Sequence, residues 1–194
     1  MPELVLASSS PRRKELLTQI GVKFTVQTVD IDESVLPEET PEHYVCRLAA
    51  EKALAGWRLL NQPEAKVVLG SDTTVVIDNQ VLGKPENKAD AVKMLMLLSG
   101  RMHQVMTAVS LCYQGKVETT LVTTNVLFKV LDEDACQRYW DTGEPRDKAG
   151  GYGIQGLGAV FVERIEGSYT GVVGLPLAET AELLKKFDIQ IWQK

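Results

Sequence analysis

Three hydroxyls and two guanidiniums crowd one short stretch, Ala7-Ser8-Ser9-Ser10-Pro11-Arg12-Arg13. The apolar run Leu4-Val5-Leu6 before it reads as a short buried strand. After it, Leu16, Leu17 and Ile20 fall on one side of a helical pattern. Ser10 suits the N-cap, Pro11 the first helical position and Gly21 the stop. A helix start presents unpaired N–H groups and the positive end of the dipole, and arginine holds phosphate oxygens in pairs. Two readings of the stretch stand level: a phosphate site, or a capped surface helix with solvated arginines.

Gly70-Ser71-Asp72-Thr73-Thr74 interrupts a run, Val67 to Ile77, that is otherwise strand-like. Glycine and aspartate are poor strand formers. A carboxylate there among hydroxyls is either a turn or bulge, or a general base or metal ligand held at the floor of a site. Lys52, Lys84 and Lys148 lie in three separate segments. With Arg12 and Arg13 they suit a polyphosphate, although any one of the lysines alone is more often a solvated surface group. A triphosphate arrives with a divalent cation such as Mg2+ or Mn2+, which takes oxygen ligands. Glu33, Asp72 and Asp30 are the candidate carboxylates.

Gly151-Tyr152-Gly153-Ile154-Gln155-Gly156 matches the spacing of a dinucleotide-binding loop, which requires a strand before it and a helix after. The residues that follow, Ala159 to Val162, read as a strand, so that function is rejected. What is left is a glycine-rich loop whose backbone can approach a ligand closely, with Asp147, Lys148 and Gln155 as polar handles. The Gln155 amide offers both a donor and an acceptor, as reading a nucleobase edge requires.

The elements expected around these residues are as follows. Lys23 to Val29 alternates like a strand, and Asp30 to Glu39 is an acidic loop. Thr40-Pro41 opens a long helix with Val45, Leu48, Ala49, Ala53 and Leu54 on its apolar stripe, Arg47 and Glu51 outside, and Lys52 beside the stripe, where it is either solvated or snorkels into a site. Asp78-Asn79-Gln80 reads as a hairpin turn. A helix spans about 87–98 and ends at Gly100. Two long strands, 104–113 and 116–130, flank a turn at Gln114-Gly115. Asp132 caps a short helix, a Gly/Pro-rich connection covers 142–158, a strand 159–165 and a last helix 177–187. The pattern is mixed α/β, unlike a regular βαβ repeat.

Composition narrows the function. The 194 residues suffice for one domain or two small lobes, and no apolar run approaches a membrane span. The N-terminal residues do not read as a secretory signal. Net charge is −5, whereas a general nucleic-acid binder is usually basic, and Trp57, Trp140 and Trp192 form no base-stacking pattern. Cys46, Cys112 and Cys136 are odd in number and in no metal spacing, as expected of reduced core thiols in a cytoplasmic protein. The two histidines, His43 and His103, are read as surface and packing residues.

Leu6 to Arg13, Glu51-Lys52-Ala53, Gly70-Ser71-Asp72-Thr73, Gly83-Lys84-Pro85 and Asp147 to Gly156 together, in this order, resemble the Maf family of nucleotide pyrophosphatases. The resemblance runs from about residue 3 to the last helix and implies a single domain over 1–194. It implies an inosine triphosphate pyrophosphatase-like (Maf) fold, an elongated mixed β-sheet flanked by helices with two lobes around a deep cleft. It implies hydrolysis of a nucleoside triphosphate to monophosphate and pyrophosphate with a divalent cation. Asp72 falls on the family's proton acceptor. Ser8, Ser10, Arg12, Arg13, Lys52 and Lys84 fall on its phosphate ligands. Arg12, Thr73 and Gln155 match the dTTP/UTP subfamily. A homodimer and a house-cleaning role against modified uridine triphosphates follow on the same basis. The alternative is a nucleotide-binding regulator of cell division or septum formation with little turnover.

Overall fold

The computed structural model of the protein describes residues 2–61 and 65–193. Its elements in chain order are β1 (Glu3–Leu6), α1 (Pro11–Gln19), β2 (Phe24–Val26), α2 (Pro41–Arg58), β3 (Lys66–Ile77), β4 (Gln80–Leu82), α3 (Lys88–Leu98), β5 (Met102–Tyr113), β6 (Lys116–Phe128), α4 (Glu133–Asp141), β7 (Val162–Glu166), α5 (Tyr169–Val173) and α6 (Leu177–Lys186). Among the described residues seven strands form one sheet in the order β2-β1-β3-β5-β6-β7, with β4 paired to β3. β1 runs parallel to both β2 and β3, while β4 on β3 and β7 on β6 are antiparallel. The mixed α/β class is therefore observed.

Two compact units divide the chain. The first comprises 1–72, 107–122 and 174–194, the second 73–106 and 123–173. In the first, Val5, Ala7, Ala53, Val68 and Cys112 form a buried apolar cluster against which Val29, Leu54 and Trp57 pack. Parallel strands are buried on both faces, which is why β1 and the start of β3 read as unbroken apolar runs. The core of the second unit gathers Val75, Leu95, Leu98, Val126, Phe128, Tyr139, Tyr152 and Phe161. There Phe128 meets Tyr152 edge-on at 4.7 Å and His103 at 4.9 Å.

Caps fall where the sequence places them. Ser10, Thr40, Asn87 and Asp132 each accept the backbone N–H three residues on. Asp78 and Asn79, both at positive φ, make the two-residue turn from β3 to β4, as Gln114 and Gly115 do from β5 to β6.

One open reading closes and three expectations need correction. β3 runs unbroken through Gly70 to Thr74, so of the two readings left open there the turn or bulge falls; Gly70 is the point where α2 lies directly on the strand. β2 is shorter than Lys23 to Val29, since its partner β1 offers only Leu4, Val5 and Leu6 for pairing. β6 stops at Phe128, where the pairing with β7 shifts register. Finally, Ala159 to Phe161 belongs to a 3₁₀ turn (Leu157–Phe161), and the strand begins at Val162. Shorter 3₁₀ turns occupy Glu144–Asp147 and Ala149–Gly151 in the glycine-rich connection. The short helix α5 has no counterpart in the expected elements. Ser168 opens it by accepting the Gly171 N–H at 3.0 Å.

Candidate active site

Strand β3 and helix α2 build the center of the site. A Cβ on Gly70 would lie 2.3 Å from the Ala49 carbonyl oxygen and 2.5 Å from the Ala53 nitrogen, so only glycine lets the helix sit so low on the strand. Residues two apart on a strand share a face. Asp72 therefore points to the side α2 covers, and Lys52, next to Ala53, reaches it: Lys52 Nζ donates to Asp72 Oδ1 at 2.7 Å. Glu33 Oε1 lies 2.6 Å from the same ammonium. The lysine thus snorkels into the site, its side chain 12% exposed.

Asp72 is 8% exposed. Burial pushes its carboxyl pKa upward; the charges of Lys52 and Arg13 oppose that, and Glu33 adds to it. Burial lowers Arg13, with Asp72 acting the other way. Arg13 and Asp72 are therefore near enough for each charge to act on the other.

The N-terminal stretch supplies the rest of the first-unit cluster. Ala7 N–H donates to the Leu69 carbonyl at 2.8 Å, which carries the chain along β3 before it turns into α1. Ser8 is buried, and its Oγ accepts the Ser10 N–H at 3.1 Å and an Arg13 Nη1 bond at 3.4 Å. Ser10 caps α1 through the Arg13 N–H, and Arg12 lies half-buried in the first turn. Arg13 Nε donates to the Gly174 carbonyl at 2.9 Å, which also accepts Ser71 Oγ at 3.3 Å. The structure thus gathers Ser8, Ser10, Arg13, Lys52, Glu33 and Asp72.

The loop that carries Glu33 is tied down by side chains the sequence did not mark for this role. Tyr44 donates its hydroxyl to the Glu33 carbonyl at 2.9 Å. Arg47 holds Glu39 through Nε at 2.6 Å and Nη2 at 2.8 Å, and donates to the Ser34 carbonyl at 3.0 Å. The hydrogen bond from Arg47 holds the Glu39 carboxyl down to about 2. Asp30 is exposed.

Thr73, Lys84, Lys148 and Gln155 belong to the second unit. Thr73 is half-buried on β3, while Lys84 and Gln155 are exposed. The Gly83 carbonyl accepts the Gly150 N–H at 3.0 Å, so the Lys84 segment and the glycine-rich connection lie side by side. Lys148 spends its ammonium on the Glu144 carbonyl at 2.7 Å and Asp147 Oδ1 at 2.8 Å. His43 is exposed near the start of α2, and His103 is buried against Tyr152. Cys46 is half-buried, Cys112 and Cys136 are buried, and all three are free thiols. Among the described residues no three His, Cys, Asp or Glu side chains group to hold a metal ion, and no helix is long and apolar enough to cross a membrane.

Fold and cluster together define a class: mixed α/β proteins that bury a mid-strand carboxylate against a helix lysine, with serines and an arginine supplied by the start of another helix. The family follows from comparison with known proteins. The Maf-like protein family model matches residues 3–187, and the chain belongs to that family. It is 56% identical over 187 residues to the dTTP/UTP pyrophosphatase of Pseudoalteromonas atlantica, covering 96% of this chain and 97% of that one. The dTTP/UTP pyrophosphatase of Saccharophagus degradans is 55% identical over 192 residues, 98% of this chain and 91% of the relative. That of Pseudoalteromonas translucida is 58% identical over 184 residues, 94% and 95% of the two chains. Among solved structures, the Staphylococcus aureus Ham1 protein aligns with a TM-score of 0.46 at 17% identity, covering 80% of this chain and 77% of that one.

Proposed function

We propose that this chain hydrolyses dTTP and UTP, and modified uridine triphosphates of the same shape, to the monophosphate and pyrophosphate. One observation carries the reading: a buried Asp72 carboxylate held by Lys52 at 2.7 Å, in a chain more than half identical to proteins named for this activity.

In this reading Asp72 takes a proton from the water that attacks the α-phosphorus. A carboxylate whose pKa is raised by burial is a stronger base than one in water, which suits that role. Ser8, Ser10, Arg12, Arg13, Lys52 and Lys84 bind the phosphates, and their cationic members stabilise the charge that develops on the leaving pyrophosphate. Arg12, Thr73 and Gln155 set the preference for a pyrimidine with an imide edge.

Glu33 and Asp72 are hard oxygen donors that both approach Lys52 Nζ, at 2.6 and 2.7 Å. One or two carboxylates plus substrate phosphates is the usual donor set for Mg2+, so these two residues fit a divalent cation, Mg2+ or Mn2+. Bound there, the cation would neutralise phosphate charge. A homodimer in the cytoplasm completes the reading.

The test is pyrophosphate release from a panel of nucleoside triphosphates, with and without Mg2+ or Mn2+. Product from dTTP and UTP well above that from the purine triphosphates is expected. Tight binding of a nucleotide with no product would instead identify a regulator and sink the hydrolase reading.

A further inference from the structure

The glycine-rich loop is built around a carboxylate that no motif marks. Glu144 Oε1 accepts the Tyr139 hydroxyl at 2.7 Å and the Gly158 N–H at 3.0 Å, and Oε2 accepts the Leu157 N–H at 2.8 Å. The Tyr139 oxygen in turn accepts the Gly153 N–H at 3.1 Å. The spacing of the glycines follows from these contacts. A Cβ on Gly156 would lie 2.3 Å from Glu144 Oε2, and one on Gly158 would lie 2.6 Å from the Tyr139 oxygen. A Cβ on Gly153 would meet Lys148 Cε at 2.7 Å. The motif therefore wraps a side chain of its own protein.

Gln155 stands between the pinned points. Gly153 is fixed on one side of it and Leu157 and Gly158 on the other, while Ile154 is buried and Gln155 itself is exposed. An amide can satisfy an imide edge or, flipped, an amino-bearing edge. Discrimination between the two depends on a backbone that holds the amide at one reach and angle.

We infer that Glu144 and Tyr139 are positioning residues for base selection, acting through Gln155 by fixing the backbone on both sides of it. The inference rests on the reading of Gln155 as a base contact. Burial works to raise the Glu144 carboxyl pKa, but the bonds from Tyr139, Leu157 and Gly158 and the charge of Lys148 hold it below the usual range. It is thus a carboxylate at neutral pH, with acceptor oxygens on both sides. The amide of Glu144→Gln has one acceptor oxygen and turns an NH2 toward an N–H or O–H donor.

The experiment compares kcat/KM for UTP and for CTP in the wild-type chain, Glu144→Gln, Tyr139→Phe, Gln155→Ala and the Glu144→Gln/Gln155→Ala double variant. Tyr139→Phe keeps the ring that packs edge-on against Phe161 at 5.0 Å, so it remains informative if Glu144→Gln folds poorly. The UTP-to-CTP ratio is expected to fall about tenfold in Glu144→Gln and by a smaller factor in Tyr139→Phe, the loss of an oriented polar contact. Adding Glu144→Gln to Gln155→Ala should lower it no further. A merely structural role would slow both substrates alike and leave the ratio unchanged. If Gln155→Ala collapses the ratio and the Glu144 and Tyr139 variants do not, this inference alone is overturned. If Gln155→Ala leaves the ratio intact, the base-contact reading and this inference fall together.

Discussion

Gly70 and Ala49 are in backbone contact: an added methyl group on Gly70 would come within 2.3 Å of the Ala49 carbonyl oxygen. This closeness brings Lys52 down to Asp72, and it makes glycine obligatory in the middle of a buried strand, where glycine is otherwise a poor choice.

Gly70→Ala should therefore destabilise the protein by about 3 kcal/mol, at the upper end for an overpacked site, because the atoms in the way are backbone and cannot rotate aside. Gly83→Ala, with nothing within 4 Å of the new carbon, is the control and should change stability little. Urea denaturation midpoints of the two variants check this. Equal midpoints would mean that α2 does not rest on the strand as described.

Asp72→Asn should lose about three orders of magnitude in turnover, the range for removing a general base. The fold should survive, because an amide of the same shape replaces a buried charge and Glu33 still meets Lys52 at 2.6 Å. Pyrophosphate release and the circular dichroism melting curve, measured together, separate the two effects. A variant with wild-type rate removes Asp72 from the role.

His103 should make the protein acid-sensitive. It is buried, with Nε2 2.8 Å from the Tyr152 hydroxyl, and burial lowers its pKa to about 4 from 6.5. A group whose folded pKa is depressed stays neutral in the native state while the unfolded chain takes up a proton. Stability is then lost as pH falls from about 6.5 toward 4, in total on the order of 3 kcal/mol. Urea midpoints between pH 7 and 4 should fall more steeply for the wild type than for His103→Leu. Parallel slopes would show that His103 does not titrate between the two states.

Much of the fold around the candidate site was legible because it is local. Ser10 and Thr40 as caps, Asp78-Asn79 as a hairpin turn, and Ser8 and Arg13 at one helix start are set by residues within a few positions of each other. That the strand continues through Gly70 is not legible in the sequence, because the reason for that glycine, the backbone at Ala49 and Ala53, lies in another element. Glu144 escaped notice because its partners are one phenol and two backbone N–H groups, which carry no sequence signature.

By itself, the sequence determined the helix starts, the turns, the apolar stripes and the family motifs, since each depends on short-range sterics, hydrogen-bond capacity or periodicity. Only the tertiary structure decided that Lys52 meets both Glu33 and Asp72, that Arg13 and Ser71 share the Gly174 carbonyl, and that the loop glycines enclose a carboxylate. These contacts join residues far apart in the chain, and their distances follow from how closely a helix or loop packs on its neighbour, which no local rule contains.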